Sequence, residues 1–274
     1  MKHQASQEPK GIAEYPWSLP VVAETYDGGL NDVNGFHVHP EDAFHALDTA
    51  ASGAVAEGNV GGGTGMRCFG FKGGTGTASR VLPAAQGAYI VGVLVQCNTG
   101  SRSQLRIAGV PVGQLVTTAL GPTGHGFPQD PDRDVGSIII VVATNAPLTS
   151  KQLDRLCRRA TLGLGRVGGT SGDGSGDIFV SFSTANPLAD DIGIGMRTPG
   201  AANDPASRVA HIDMLHNDAM DPLFVATIQA TEEAIVNALV GAEPLTGHDG
   251  RVLQALPHDQ LRALMQQKFA PTAW

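Results

Sequence analysis

Residues 137–144 read SIIIVVAT, an unbroken run in which most side chains are apolar and branched at Cβ. Such a run is typical of a β-strand buried on both faces, because its inner positions do not alternate with polar side chains. Residues 177–184, DIFVSFST, form a second strong strand candidate. Buried strands need covering layers, and apolar residues at helical spacing elsewhere indicate where those layers come from. The predicted helices cover residues 40–55, 149–164, 214–240 and 253–269.

Shorter apolar segments bounded by glycine predict additional strands. Residues 121–135 are rich in Gly, Pro and Asp, so we expect an exposed, flexible loop there. The elements together predict an α/β fold in which sheets lie between helical layers, and 274 residues suffice for one large domain. The additional strands are predicted at residues 21–25, 69–71, 88–96 and 104–107.

Composition excludes several classes of partner. Hydrophobic residues make up 42% of the chain and charged residues 16%, so the chain is expected to fold. The formal charge is -8 and no basic run is present, which argues against a nucleic acid partner. The apolar stretches at residues 89–97 and 138–143 are well short of the roughly 20 residues that cross a bilayer, so no membrane span is predicted.

The cysteines and histidines suggest neither a disulfide nor a metal centre. Cys68, Cys97 and Cys157 form no CxxC pair, and we interpret them as reduced, buried thiols. His37 and His39 could share a metal, but no further ligands complete a site. We therefore predict no cofactor and no metal. The polar first ten residues show no signal peptide, so a cytoplasmic location is expected.

Glycine accounts for 36 residues, about twice the average share of roughly 7%, yet the known glycine motifs do not fit. Gly61 and Gly63 begin a GxGxxG pattern, but Met66 occupies its last position. In residues 65–72, the two glycines have the spacing of a phosphate-binding loop, but the lysine does not directly follow the second glycine. Ser175 has glycine directly on both sides. In a hydrolase elbow, one other residue separates the serine from each glycine.

Gly136 and Ser137 form the most informative junction, between the predicted loop and the buried strand. The Ser137 hydroxyl could attack the unshielded Gly136 carbonyl, take over the acyl group and release it to water. Ser137 would then carry a free α-amine, whose ordinary pKa of about 7.7–8.0 suits it to accept the hydroxyl proton. The residues alone support this N-terminal nucleophile only weakly, because Gly-Ser before a strand is common.

Six blocks of sequence resemble the family of L-aminopeptidases/D-esterases and β-aminopeptidases, which are self-processing serine aminopeptidases. The resemblance runs in family order from residue 17 to the C-terminus. It implies an αββα sandwich similar to the N-terminal-nucleophile hydrolases, in a single domain at 17–274 after a loose tail at 1–16. The blocks are PVVAETYDGGLNDVNGFHV, EGNVGGGTGM, FKGGTGTASR, VGVLVQCNTGSR, GSIIIVVATNAPL and GSGDIFVSFSTAN.

The resemblance also implies how the chain works. Self-cleavage between Gly136 and Ser137 would give an α chain of 1–136 and a β chain of 137–274, assembled as a homo-oligomer of αβ units. The expected substrates are small peptides, amides or esters that lose an N-terminal amino acid.

The same resemblance implies a role for each site residue. Ser137 corresponds to the nucleophile, and Ser175 and Asp177 to the groups that hydrogen-bond around the nucleophile and its amine. Asn98 and Tyr26 correspond to the donors that stabilise the oxyanion. An amide and a phenol suit that task because both are neutral donors.

Two alternatives stay open. One is an acyltransferase on a similar self-cleaving fold, such as the ornithine acetyltransferase type, although those proteins use threonine where this chain has Ser137. The other is an inactive scaffold. Family members carry a longer segment, with sheet strands and part of the substrate pocket, before the block that begins at Trp17, so we expect this chain to lack an N-terminal part.

Overall fold

The computed structural model describes residues 20–117, 136–186 and 212–270. The predicted tail at 1–16 and the predicted loop at 121–135 lie outside these ranges. The helices within them are α1 Pro40–Asp48, α2 Val112–Leu115, α3 Ser150–Arg166, α4 Asp221–Val240 and α5 His258–Lys268. The strands are β1 Arg67–Cys68, β2 Phe71–Lys72, β3 Gly74–Val81, β4 Ile90–Asn98, β5 Ser137–Thr144, β6 Ile178–Ser183, β7 Leu245–Thr246 and β8 Val252–Leu253.

A four-stranded sheet forms the centre of the structure, in the order β3-β4-β5-β6. Its first three strands are antiparallel, whereas β5 and β6 are parallel. Parallel neighbours need a long crossover, and α3 lies in the connection between them. The register places Asn98 opposite Ser137 and Cys97 opposite Ile138. Residues paired in this way project from the same face of a sheet.

Helices α3 and α4 cover one face of this sheet. Val93, Val95, Ile140 and Val142 are buried there in the main hydrophobic core. Helix α4 approaches β3 so closely that a Cβ at Gly76 would lie 2.0 Å from the Ala234 carbonyl oxygen. Burial of this apolar face is what drives the helices onto the sheet.

One helix in the described part of the chain, Asn217–Val240, is long and apolar enough to cross a membrane by length and composition alone. However, 56% of its apolar window is buried inside the protein, as expected for a core helix. The absence of a membrane span stays a prediction.

The opposite face of the sheet is less covered and carries Asn98 and Ser137. Ile139 is buried, but Val141 is only half-buried and Phe182 is 46% exposed. The prediction that β5 is buried on both faces is therefore wrong for the described residues, because the helices cover only one face.

The long periodic segments formed the predicted elements. All four predicted helices are present, although α1 ends at Asp48, earlier than expected. Helices α4 and α5 begin later than expected, at Asp221 and His258. The strands predicted at 88–96, 137–144 and 177–184 correspond to β4, β5 and β6.

Three of the short predicted strands are wrong. Residues 21–25 form no strand. Of residues 69–71, only Phe71 lies in a strand, β2, because Phe69 and Gly70 form the turn before it. Gln104 ends a 3-10 turn, and Ile107 makes only an isolated bridge to Val110. Short apolar segments can be buried without joining a sheet, so hydrophobicity alone does not identify them.

The interpretation of the cysteines as reduced thiols is wrong for two of the three. Cys68 and Cys97 are both fully buried and form a disulfide across a Cα distance of 5.6 Å. The turn at Phe69 folds β1 back toward the end of β4 and brings together two cysteines that are 29 residues apart. Cys157 is the free thiol. The cytoplasmic location expected from the sequence stays a prediction.

Candidate active site

Ser137 begins β5 at the edge of the sheet where its neighbour β4 ends. Asn98, the last residue of β4, is its partner in the register, so the two side chains leave the same face of adjacent strands. The Gly176 N–H donates a hydrogen bond of 3.0 Å to the Ser137 Oγ. A donor to this oxygen favours its negatively charged form, which is the form that attacks a carbonyl.

The parallel pairing of β5 and β6 places the start of both strands at the same edge. The turn before β6 therefore lies beside Ser137. The Ser175 hydroxyl donates to the Asp177 Oδ1 at 2.6 Å, and the Ile138 N–H donates to the same oxygen at 3.1 Å. Asp177 is thus bound to the backbone one residue after Ser137.

The second carboxylate oxygen of Asp177, Oδ2, is buried and has no hydrogen-bond partner among the described residues. A buried carboxylate oxygen without a donor is costly unless another group reaches it. The carboxylate therefore offers a free acceptor close to the start of β5, where an α-amine on Ser137 would form.

Backbone groups fix the amide of Asn98 at both ends. The Arg67 N–H donates to Oδ1 at 2.8 Å, and Nδ2 donates to the Tyr26 carbonyl oxygen at 2.9 Å. These contacts define which amide atom is the donor. An amide nitrogen carries two protons, so one N–H of Nδ2 can still meet a negatively charged oxygen.

Tyr26 reaches the site through its backbone. Its side chain is 59% exposed, and its hydroxyl lies above Gly28, where a Cβ would be 2.3 Å from the phenol oxygen. Among the described residues, no hydrogen bond joins this phenol to Ser137. The role of the Tyr26 hydroxyl as an oxyanion donor stays a prediction.

Gly136 is packed so tightly that no other residue fits without displacement. A Cβ at this position would lie 2.1 Å from the carbonyl oxygen of Asn98 and 2.5 Å from the Cα of Thr99. Gly136, the residue before Ser137, is therefore held against the backbone at the end of β4.

Lys72 is a buried titratable group near this edge of the fold. Its Nζ donates to the Gly63 carbonyl oxygen at 3.0 Å and to the carbonyl oxygen of Gly73. Burial lowers the pKa of Lys72 to about 7. The lysine ties the glycine turn at residues 61–63 to β2.

The structure thus brings Ser137, Asn98, Ser175 and Asp177 together, and Tyr26 joins them through its carbonyl. Gly176 and Arg67 were not predicted, because they contribute backbone N–H groups and no side-chain pattern marks such groups in a sequence. His37 lies 3.8 Å from Asp32, and the described residues contain no group of three side chains suited to a metal.

Comparison with known proteins gives the site its context. The sequence profile of peptidase family S58 matches residues 1–253. A β-peptidyl aminopeptidase, BapA, of Sphingosinicella microcystinivorans is 51% identical over 262 residues, covering 92% of this chain and 62% of that protein. The BapA of Sphingosinicella xenopeptidilytica is 46% identical over 255 residues, covering 92% of this chain and 60% of that protein. The chain thus spans about three fifths of these relatives.

Solved structures agree with this placement. A β-aminopeptidase of Burkholderia sp. superimposes with a TM-score of 0.81 at 41% identity, covering 97% of this chain and 68% of the other. The L-aminopeptidase D-Ala-esterase/amidase of Ochrobactrum anthropi gives 0.77 at 46% identity, covering 93% and 64%. That enzyme is described as a prototype of the serine aminopeptidases and a variant of the N-terminal-nucleophile hydrolase fold. The α/β sandwich expected from the sequence is thereby confirmed, and the chain belongs to peptidase family S58.

Proposed function

We propose that this protein is a serine aminopeptidase that removes N-terminal amino acids from small peptides, amides or esters with Ser137 as its nucleophile. The observation that carries the proposal is the convergence of Ser137 Oγ, the Asn98 amide and the Asp177 carboxylate at the start of β5. The β-peptidyl aminopeptidases and the L-aminopeptidase among its relatives support this class of substrate.

The nucleophile first has to be released from the chain. Ser137 Oγ attacks the carbonyl carbon of Gly136, the C–N bond breaks, and the nitrogen takes the hydroxyl proton. The resulting ester is hydrolysed by water, which leaves a carboxylate on Gly136 and a free amine and hydroxyl on Ser137. The close packing of Gly136 against the backbone of Asn98 and Thr99 fixes the position of this residue during the step.

Turnover then uses the new amine as the base. It accepts the hydroxyl proton while Oγ attacks the substrate carbonyl, and an N–H of Asn98 stabilises the oxyanion. The amine passes the proton to the leaving group, and water removes the acyl group in a second, similar step. We expect Asp177 to hold the amine in position, because its Oδ2 has no other partner among the described residues.

The test is to measure the mass of the purified protein and its release of nitroaniline from aminoacyl nitroanilides. We expect two fragments, one beginning Ser-Ile-Ile, and turnover by the cleaved form. Ser137→Ala should stay intact and inactive. Ser79→Ala, a change at an exposed serine of the same sheet, serves as the control.

Cleavage of Ser137→Ala at the same bond would contradict self-processing by this hydroxyl. A cleaved protein that transfers the acyl group to an added amine in preference to water would favour the acyltransferase alternative. A folded, cleaved protein without turnover would favour the scaffold.

We further propose that αβ units form a homo-oligomer. Phe36, Val38 and Leu47 lie in or before α1 with more than half of their surface exposed, and apolar exposure of this kind is typical of interaction surfaces. Light scattering should give a multiple of 28.3 kDa. A mass of one unit at micromolar concentration would contradict the assembly.

A further inference from the structure

Thr25 is a buried hydroxyl residue that connects three segments of the chain. Its side chain is 6% exposed. The Thr25 hydroxyl donates to the Met66 Sδ at 2.6 Å and accepts a hydrogen bond of 2.7 Å from the Gln96 Nε2. One small polar group therefore links the segment before Gly28, the turn before β1 and strand β4.

Each of these contacts lies next to a group that holds Asn98. Met66 forms the peptide bond with Arg67, whose N–H donates to the Asn98 Oδ1. Thr25 precedes Tyr26, whose carbonyl accepts from the Asn98 Nδ2. The distance between the Arg67 N–H and the Tyr26 carbonyl determines whether the Asn98 amide can bind both at once. The Thr25 hydroxyl helps to fix this distance, because it links the residue before Tyr26 to the residue before Arg67.

Gln96 anchors the bridge to the sheet. It lies two residues before Asn98 on β4 and therefore projects from the same face. Its Oε1 occupies the space beside Gly62, where a Cβ would be only 1.8 Å away. The Gln96 side chain is thus confined between the glycine turn and Thr25.

We propose that Thr25 is a positioning residue for the oxyanion donor Asn98. This inference rests on the proposed function. The role requires a group that donates and accepts at the same point, which a hydroxyl does and an apolar side chain of the same shape does not. Without the bridge, the Arg67 N–H and the Tyr26 carbonyl separate, and the free N–H of Asn98 loses its direction.

The decisive variant is Thr25→Val, which keeps the shape and removes the hydroxyl. We expect kcat to fall about 10- to 100-fold, as for other displacements of about 1 Å at a reacting centre, with KM little changed. Thr25→Ser restores the hydroxyl and should recover most of the loss. In a protein that already carries Asn98→Ala, Thr25→Val should have no additional effect on kcat, because the donor it positions is gone.

A readout that needs no turnover is the side-chain amide of Asn98 in a spectrum of ¹⁵N-labelled protein, assigned by its disappearance in Asn98→Ala. Thr25→Val should move this signal toward that of a free amide, and Thr25→Ser should return it. An unmoved amide signal in folded Thr25→Val overturns the inference, as does an equal loss of kcat with and without Asn98. Lack of turnover in the unaltered protein, with the amide signal shifting as expected, would instead contradict the proposed function alone.

Discussion

At the scale of single residues, the proposed site depends on a neutral donor with a fixed direction. The amide of Asn98 is held at both ends by backbone groups, so its remaining N–H is directed before any substrate arrives. Preorganised donors of this kind supply much of the stabilisation of an oxyanion, because they need not reorient as charge develops.

Removal of the Asn98 amide should therefore affect catalysis more than folding. We expect Asn98→Ala to lower kcat about 100- to 1000-fold, the usual cost of one lost oxyanion donor. The measurement is nitroanilide turnover by protein whose cleavage at residue 136 has been established by mass. Unchanged turnover in that cleaved variant would remove Asn98 from the site.

Lys72 gives the protein a specific dependence of stability on pH. Burial lowers its pKa from 10.5 to about 7 in the folded state, so between these values the unfolded chain binds a proton that the folded chain does not. The free energy of unfolding should thus rise with pH from about 7 to 10.5 through this lysine, and the gain is lost as pH falls to 7.

The matched variant for this effect is Lys72→Met, which keeps the length of the side chain and has no titrating group. Urea unfolding at pH 7 and pH 9 should show a greater rise in stability for the unaltered protein than for Lys72→Met. Equal rises in both proteins would mean that Lys72 does not titrate differently in the folded state.

At the scale of elements, the order of β4, β5 and β6 assembles the site. The antiparallel pair places the end of β4 beside the start of β5, and the parallel pair adds the turn before β6 at the same edge. Asn98, Ser137 and Asp177 lie at these three positions and therefore come close together without a long loop. On the proposed mechanism, the register of three strands therefore determines which groups surround Ser137.

The contact between α4 and β3 offers a test of this packing. Gly76→Ala would place a Cβ 2.0 Å from the Ala234 carbonyl oxygen, and Gly92→Ala, on the neighbouring strand, would meet nothing within 4 Å. We expect Gly76→Ala to lower the free energy of unfolding by about 1–3 kcal/mol, the usual cost of overpacking. Gly92→Ala should change it by less than about 1 kcal/mol. Similar values for both variants in denaturant unfolding would contradict the close approach.

The sequence predicted the elements better than their contacts. Helices α3 and α4 have clear helical periodicity, and strands β5 and β6 are rich in β-branched and aromatic residues, so local sequence suffices for them. The pairing of Asn98 with Ser137 depends on a register that no local pattern encodes, and only the family resemblance suggested that the two act together. Thr25 and Gly176 escaped prediction because one acts through its neighbours and the other through a backbone N–H.

At the scale of the whole molecule, the disulfide connects the hairpin of β1 and β2 to the strand that carries Asn98. The chain has three cysteines, so this pairing can be tested by counting free thiols. Protein denatured without reductant should show one reactive thiol, that of Cys157, and three after reduction. Cys68→Ser should show two without reductant, because Cys97 is then released. Three thiols in unreduced, unaltered protein would support the original interpretation of reduced cysteines.

The tight fit of Gly136 has a consequence for the substrate on the proposed mechanism. Before the cut, Gly136 occupies the space beside the end of β4, where any side chain on residue 136 would collide with the Asn98 carbonyl. After the cut, that space is the entrance for a foreign acyl group. The uncleaved chain therefore occupies the position that a substrate takes later. A substrate should bind with its side chain directed away from the end of β4, because this space accommodates only a glycine.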